Sequence, residues 1–179
     1  MLLASLATLF IAGDACDNIP SLTWNDTCTM ACSDEKTPPE LYNVCKEILT
    51  TEALYISPMT VYASVAAKHA TKCYDDTVSK IDEIIARGLP GADVREAYRS
   101  CINMYATARM QMAGVVSDMD TCRFAGTKQE YVTAVAGVQS CREKLRSPEW
   151  PLVDDIAADL DVTTVAYKLG GLVLAQSGS

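Results

Sequence analysis

The stretch that decides the fold runs from Asp93 to Met119 and reads DVREAYRSCINMYATARMQMAGVVSDM. Apolar or small residues recur in it in alternating steps of four and three. They are Val94, Tyr98, Cys101, Tyr105, Ala108, Met112, Val115 and Met119. A seam of this spacing stays on one side of a helix over several heptads and faces a partner helix. The stretch therefore predicts one long helix of a bundle, with Asp93 and Glu96 as a capping box at its start.

Similar signals on both sides of this stretch predict three more long helices. Ser57-Pro58 has the pattern of an N-cap followed by proline at the first helical position, and Gly88 is typical of the residue just beyond a helix end. Thr127 and Glu130 have the spacing of a second capping box. Ser147-Pro148 marks the start of the last helix. Short connections between four amphipathic helices predict an all-α, antiparallel up-and-down four-helix bundle.

The last helix has a less regular apolar pattern than the other three. Its predicted stripe is Leu152, Ile156, Leu160, Thr163, Tyr167 and Leu174. Gly170-Gly171 interrupts this stripe, so the final turns are expected to kink or fray. No segment of the chain shows sustained alternation with a period of two, and strands are therefore not expected.

The chain before the bundle divides into two pieces. Residues 1–15 contain a short apolar run that is typical of a secretory signal peptide, with a basic start missing, so the leader is predicted to be truncated. Residues 16–53 contain two short helical stretches on either side of Thr37-Pro38-Pro39-Glu40, which predicts an α-hairpin extension. Residues 54–179 then form the bundle domain.

Composition limits the partners and the chemistry. A net charge of −8 and a pI of about 4.6 repel a phosphate backbone, so nucleic acid is not expected as a partner. Eight cysteines after a signal peptide indicate disulfide bonds. A zinc site is not expected, because the nearest pair is Cys28-x3-Cys32 and His69 is the only histidine. Asn25 begins the sequon Asn25-Asp26-Thr27 and is the predicted glycosylation site.

No catalytic residue, cofactor or metal is predicted. His69 lies on the predicted apolar stripe of its helix, which favours a packed or groove histidine over a general base. Neither Gly-x-Ser-x-Gly nor His-Glu-x-x-His occurs. The acidic pairs Asp154-Asp155 and Asp159/Asp161 fall near the start of the last helix, where the helix dipole favours carboxylates. A lipid-transfer protein is a rival among helical proteins with eight cysteines, but the adjacent Cys-Cys and the Cys-x-Cys of that class are missing.

Three segments together resemble the plant family of invertase and pectin methylesterase inhibitors. They are Asp26-Thr27-Cys28 with Tyr42-Asn43-Val44-Cys45, then Ala97 to Ala106 around Cys101-x3-Tyr105, and finally Val138-Gln139-Ser140-Cys141. The resemblance implies a Cys28–Cys45 bond in the hairpin and a Cys101–Cys141 bond between two bundle helices. The first bond would staple two helices that are each too short to be stable alone, and the second would close a loop of about 40 residues between neighbouring bundle helices.

Four further cysteines lie outside the family pattern. Cys122 lies in the connection between the second and third bundle helices, at the end where the hairpin joins, so a Cys32–Cys122 bond is a candidate tether. Cys73 is expected as a small buried residue on its stripe. Two partners are considered for Cys16, namely Cys73 and a cysteine of another chain. The sequence does not select between them.

The resemblance implies a secreted, monomeric inhibitor of a plant invertase, in the cell wall or the vacuole. In that branch of the family a bundle loop blocks the active site, and Arg123 and Phe124 occupy the matching connection here. An arginine can pair with the carboxylates that glycosidases present, and an exposed Phe124 can enter a sugar subsite. The other reading of this connection is a structured loop with Phe124 folded onto the bundle end. One alternative is a pectin methylesterase inhibitor that binds the esterase cleft through helix faces. A second is a non-inhibitory, allergen-like helical protein of the same fold.

Overall fold

The computed structural model describes residues 16, 18–35, 37–88, 91–146 and 150–178. The predicted signal peptide, residues 1–15, lies outside these residues. Eight elements follow one another in the described chain. They are β1 (Ser21–Thr23), α1 (Trp24–Ala31), α2 (Glu40–Glu52), β2 (Ile56–Pro58), α3 (Met59–Ala86), α4 (Ala92–Thr121), α5 (Thr127–Lys144) and α6 (Val153–Ser177).

Helices α3 to α6 form the predicted antiparallel bundle. Each helix packs against two neighbours, in the cyclic order α3, α4, α5 and α6. The seam of α4 is buried as predicted from Tyr98 to Met119, while Val94 at its start is half-buried. The Cys101–Cys141 bond joins α4 to α5, with the two Cα atoms 4.9 Å apart. The all-α bundle fold predicted from the sequence is confirmed.

The α-hairpin covers one side of this bundle. The Cys28–Cys45 bond joins α1 to α2, with Cα atoms 5.8 Å apart. Helix α1 packs against α6, and α2 packs against both α3 and α6. The hairpin thus lies over the α3–α6 side, and the opposite α4–α5 side keeps its outer surface free of the hairpin.

The expectation that the chain has no strands is wrong. Strands β1 and β2 pair antiparallel, with Leu22 opposite Ser57. Each strand has three residues, which is too short for a period of two to be visible in the sequence. The Tyr62 hydroxyl also lies 2.9–3.1 Å from the carbonyl oxygens of Leu22, Leu54 and Tyr55. The start of α3 is therefore anchored to the chain that enters and leaves the hairpin.

Several predicted helix starts are displaced. Ser57 is a buried residue of β2, and α3 begins at Met59 with Pro58 as its N-cap. Helices α4 and α5 are capped by Gly91 and Gly126 without a side-chain hydrogen bond, so neither predicted capping box forms. Helix α6 begins at Val153, and the predicted Ser147-Pro148 start lies outside the described residues. Glycine suits the cap of α5, because Gly126 has a φ of 95° that residues with a side chain rarely adopt.

Helix α6 does not kink or end at its glycine pair, contrary to the prediction. It is continuous from Val153 to Ser177. A Cβ atom on Gly170 would overlap Cε2 of Tyr131, so the glycine makes room for this buried ring. The buried residues of α6 also depart from the predicted stripe: Leu160, Tyr167 and Leu174 are half-buried, while Asp159 and Val165 are buried. The reason is that α6 packs against the hairpin as well as the bundle.

Candidate partner-binding surface

The connection between α4 and α5 is a tightly held loop that runs from Cys122 to Gly126. Cys122 ends α4 in the left-handed conformation at φ 55°, and Gly126 precedes α5 at φ 95°. The Arg123 amide donates to the Asp118 carbonyl at 3.1 Å, and the Thr127 hydroxyl donates to the Asp118 carboxylate. Both ends of the loop are therefore fixed to the last turn of α4.

A disulfide bond between Cys16 and Cys122 also fixes the loop, with Cα atoms 5.5 Å apart. The predicted Cys32–Cys122 tether is thus wrong, as are the two pairings considered for Cys16. Cys32 and Cys73 are the free thiols among the described residues. Cys32 follows the end of α1 that is remote from β1, whereas Cys122 shares a pocket with Cys16 and with Pro58 of β2.

Of the two positions considered for Phe124, the structure shows the one folded onto the bundle end and not the exposed one. Its side chain is only 7% exposed, although Arg123 beside it is exposed. Phe124 lines a cleft of about 510 Å³ together with Tyr167, Gly171 and Leu174 of α6. The apolar end of α6 gives the ring a place to pack, and a loop fixed at both ends leaves it little freedom to leave. Arg123 is therefore the outward-facing member of the predicted pair.

The guanidinium of Arg123 donates a long hydrogen bond from Nε to the Thr121 hydroxyl, at 3.3 Å. Such a bond holds the side chain loosely. A guanidinium with several further donors remains suited to a carboxylate of a partner.

A second candidate surface lies on the side of the bundle opposite the hairpin. Asn103, Thr107 and Gln111 follow one another at intervals of four along α4, and Thr133 and Ser140 occupy the adjoining side of α5. We refer to these five residues as the α4–α5 face. All five are exposed or half-buried and carry no charge, in a chain of which 21% is charged.

The two helices approach closely beneath this face. A Cβ atom on Gly137 would lie 3.1 Å from the Met104 carbonyl oxygen. The hydroxyls of Thr107 and Thr133 donate to backbone carbonyls of their own helices, at 3.1 Å and 2.8 Å. The face therefore presents short side chains, two of which are already held by hydrogen bonds. The sequence analysis missed this face. The signal was present, because Asn103, Thr107 and Gln111 are polar, uncharged and four residues apart on the side of α4 opposite its seam.

A third exposed patch lies between α2 and α3. Leu54, Tyr55 and Ile56 are 75%, 63% and 58% exposed, and the Trp24 ring meets the Tyr55 ring edge-on at 6.5 Å. The backbone of this segment is fixed by β2 and by the Tyr62 hydroxyl. No signal in the sequence distinguished these apolar residues from core residues.

The remaining candidate residues have structural surroundings. His69 is half-buried, and its Nδ1 lies 2.7 Å from Glu52 Oε1. It lines a groove of about 250 Å³ beside Val44 and Ile48 of α2, so the prediction of a packed or groove histidine is confirmed. Asn25 is exposed on α1 and its Oδ1 accepts from the Tyr42 hydroxyl at 2.7 Å, and its glycosylation stays a prediction.

The acidic residues of α6 divide into two groups. Asp154 and Asp155 lie in its first turn, as predicted, and Asp155 pairs with Lys80 at 2.6 Å. Asp159 is instead buried, and burial raises the pKa of its carboxyl to about 6. Burial also raises the pKa of Asp161, although the positive charge of Arg142 lowers it in part. Within the described residues there is no group of three or more potential metal ligands and no helix apolar enough to cross a membrane.

Comparison with solved structures finds two with a similar fold. A mutant form of a pectin methylesterase inhibitor from Arabidopsis matches 80% of this chain and 95% of its own, with a TM-score of 0.65 and 17% identity. A pectin methylesterase inhibitor from Arabidopsis thaliana matches 82% of this chain and 94% of its own, with a TM-score of 0.57 and 18% identity. The chain has the fold of these inhibitors.

Both neighbours are inhibitors of an enzyme rather than enzymes. Neither a family model nor a curated protein sequence matches the chain. The likeness to both neighbours covers nearly all of their length and about four fifths of this chain.

Proposed function

We propose that the protein is a secreted inhibitor of a pectin methylesterase and that it binds the enzyme through the α4–α5 face. The main support is the fold, which the chain shares with two pectin methylesterase inhibitors over 94% and 95% of their length. The enzyme is thus a protein partner of the cell wall, and no cofactor takes part.

The position and chemistry of the α4–α5 face favour it as the contact surface. The hairpin packs on α3 and α6, which leaves α4 and α5 accessible. Burying uncharged side chains avoids the desolvation cost that buried charges would add. Short residues such as Thr107 and Thr133 also lose little conformational entropy when a partner covers them.

The α4–α5 loop gives less support to inhibition of an invertase. The loop hypothesis uses an exposed Phe124 to enter a sugar subsite, and the Phe124 side chain is only 7% exposed at the bundle end. Arg123 is exposed, so its predicted pairing with a carboxylate of the glycosidase remains physically reasonable. A comparison of the two enzymes therefore separates the two modes of inhibition.

The test is titration of the purified protein into pectin methylesterase and invertase assays near pH 5. We expect inhibition of the esterase, and we expect Thr107→Lys to weaken it about tenfold or more, which corresponds to ~1.4 kcal/mol of binding free energy. Thr50→Lys is the matched control, because Thr50 is also exposed, on α2, and its hydroxyl also donates to the carbonyl four residues earlier. We expect this control to inhibit as the unaltered protein does.

Other outcomes assign the protein differently. Inhibition of invertase that Arg123→Ala abolishes would support the loop mode and contradict the proposal. Absence of inhibition of both enzymes would favour a non-inhibitory, allergen-like helical protein. Equal weakening by Thr107→Lys and Thr50→Lys would remove the α4–α5 face as the contact surface.

A further inference from the structure

Asp159 is a buried carboxyl group at the meeting point of three bundle helices. It lies on α6 and is 5% exposed. Its Oδ2 atom accepts two hydrogen bonds of 2.7 Å, one from the Thr77 hydroxyl of α3 and one from the Tyr105 hydroxyl of α4. One oxygen atom therefore connects three helices.

Two further hydroxyl groups extend this cluster. The Tyr74 and Thr163 hydroxyls lie 2.6 Å apart, and the Thr163 hydroxyl donates to the backbone carbonyl of Asp159. The Tyr74 and Tyr105 rings pack against each other with centroids 5.4 Å apart. The cluster is thus a continuous polar network in the apolar interior.

This network holds the carboxyl without a cation in contact with it. No ion pair of the described residues includes Asp159, and the nearby Lys80 is paired with Asp155. A carboxylate buried without a cation is costly, whereas a protonated carboxyl in the same place can both donate and accept hydrogen bonds. The two hydroxyl donors offset part of that cost and do not remove it.

We propose that the Asp159 carboxyl is a proton-operated lock of the bundle. In mildly acidic solution it takes up a proton, and the neutral group holds α3, α4 and α6 together more firmly than the carboxylate does at neutral pH. The lock concerns the fold, so its test does not depend on which enzyme the protein binds.

Asp159 is the group of this network whose charge changes in mild acid, because the groups around it keep their protons there. Burial raises the pKa of the Cys73 thiol to about 11 and raises the pKa of the Tyr74 and Tyr105 hydroxyls, so all three keep their protons in mild acid. The bond to Asp155 raises the pKa of Lys80, which keeps its charge. Asp155 of α6 is the carboxylate that raises the pKa of Asp159, whereas Asp76 of α3 acts on the Cys73 thiol.

The direction of the pH effect follows from this arrangement. Burial raises the pKa of Asp159 from an ordinary 3.8 to about 6, while hydrogen bonds from Tyr105 and Thr77 lower it. Between these values the folded protein holds a proton that the unfolded chain has lost, so stability falls as the pH rises through this window. A difference of about two pKa units corresponds to a change of roughly a hundredfold in the folding equilibrium constant.

Denaturant unfolding of the intact protein at several values from about pH 4 to about pH 7 tests the proposal. We expect the folding constant to fall by roughly a hundredfold over this range, and we expect the fall to be largely absent in Asp159→Asn. Asp161→Asn and Glu130→Gln are the controls, because burial raises the pKa of both carboxyls as well. Each control should retain most of the fall.

A direct titration supplements this measurement. The carboxyl carbon of Asp159, followed by NMR, should titrate with a pKa of about 6, and Thr77→Val should move its pKa further up because one donor to the carboxylate is lost. The Thr77 variant also serves if Asp159→Asn fails to fold. Titration of Asp159 near its ordinary value, or a pH dependence that is unchanged in Asp159→Asn, would overturn the proposal.

Discussion

Helices α4 and α6 occupy the same bundle but have different surroundings. Helix α4 packs against α3 and α5 and buries seven of its 30 residues, all on one seam. Helix α6 packs against α3, α5 and both helices of the hairpin, and buries nine of its 25 residues. The outer side of α4 thus meets no other helix, whereas α6 is covered by the bundle on one side and by the hairpin on another.

This difference suggests separate roles for the two helices, with α6 contributing mainly to stability and α4 to partner binding. Helix α6 is the element through which hairpin and bundle share a core, so its residues carry much of the packing energy. Helix α4 buries a smaller share of its residues, keeps an outer face that the proposed partner can reach, and is also joined to α5 by a disulfide bond. Substitutions should therefore act on stability through α6 and on binding through the outer face of α4.

Removal of the bond between α4 and α5 should have the largest effect. Cys101 and Cys141 are separated by 40 residues in the chain. Replacing both by alanine should lower the free energy of unfolding by about 4 kcal/mol, because the unfolded chain is no longer held in a closed loop. Denaturant unfolding measures this loss.

The hairpin bond provides the comparison for this prediction. Cys28 and Cys45 are separated by only 17 residues. Replacing both by alanine should cost about 3 kcal/mol, since a shorter loop constrains the unfolded chain less. A smaller loss for the bundle bond than for the hairpin bond would contradict our view that α4 depends on its staple.

Truncation of one residue on each helix compares the two directly. Leu169 of α6 is 1% exposed. Leu169→Ala should therefore cost about 2–5 kcal/mol through lost burial and the cavity left behind. Thr107 of α4 is exposed, and Thr107→Ala should change the free energy of unfolding by no more than about 0.5 kcal/mol. Thermal unfolding of both variants checks this ratio, and similar losses at the two positions would show that α4 is covered on its outer side.

The same difference explains which helix the sequence predicted well. The seam of α4 was correct from Tyr98 to Met119, because a helix buried on one side has a clear period in its apolar residues. The pattern of α6 was partly wrong, because residues such as Val165 and Leu160 lie on different sides that both meet protein. When two sides of a helix are covered, the apolar residues of both sides alternate along the sequence and no single period is visible.

Long-range features escaped prediction for a related reason. Cys16 and Cys122 are separated by 106 residues in the chain, and sequence alone does not select one pairing among several. Burial of Phe124 depends on the apolar end of α6, which lies far from it in the chain. Arg123 and Phe124 were correctly placed in one loop, but the direction of each side chain is a property of the folded bundle end.

The adjacent glycines of α6 offer the finest comparison, because one faces the bundle and the other does not. A Cβ atom on Gly170 would overlap the buried Tyr131 ring, whereas one on Gly171 would meet nothing within 4 Å. Gly170→Ala should therefore lower the free energy of unfolding by about 1–3 kcal/mol through overpacking. Gly171→Ala should raise it by up to about 1 kcal/mol, since alanine favours the helix and loses less entropy on folding.

Parallel thermal unfolding of the two alanine variants measures effects of opposite sign in neighbouring residues. Helix propensity alone would stabilise both, so only the packing of Tyr131 against Gly170 can make the signs differ. Stabilisation by both substitutions would mean that α5 and α6 are further apart than the structure places them. Destabilisation by both would mean that the side of α6 at Gly171 is also covered, and the contrast with the free side of α4 would then be larger.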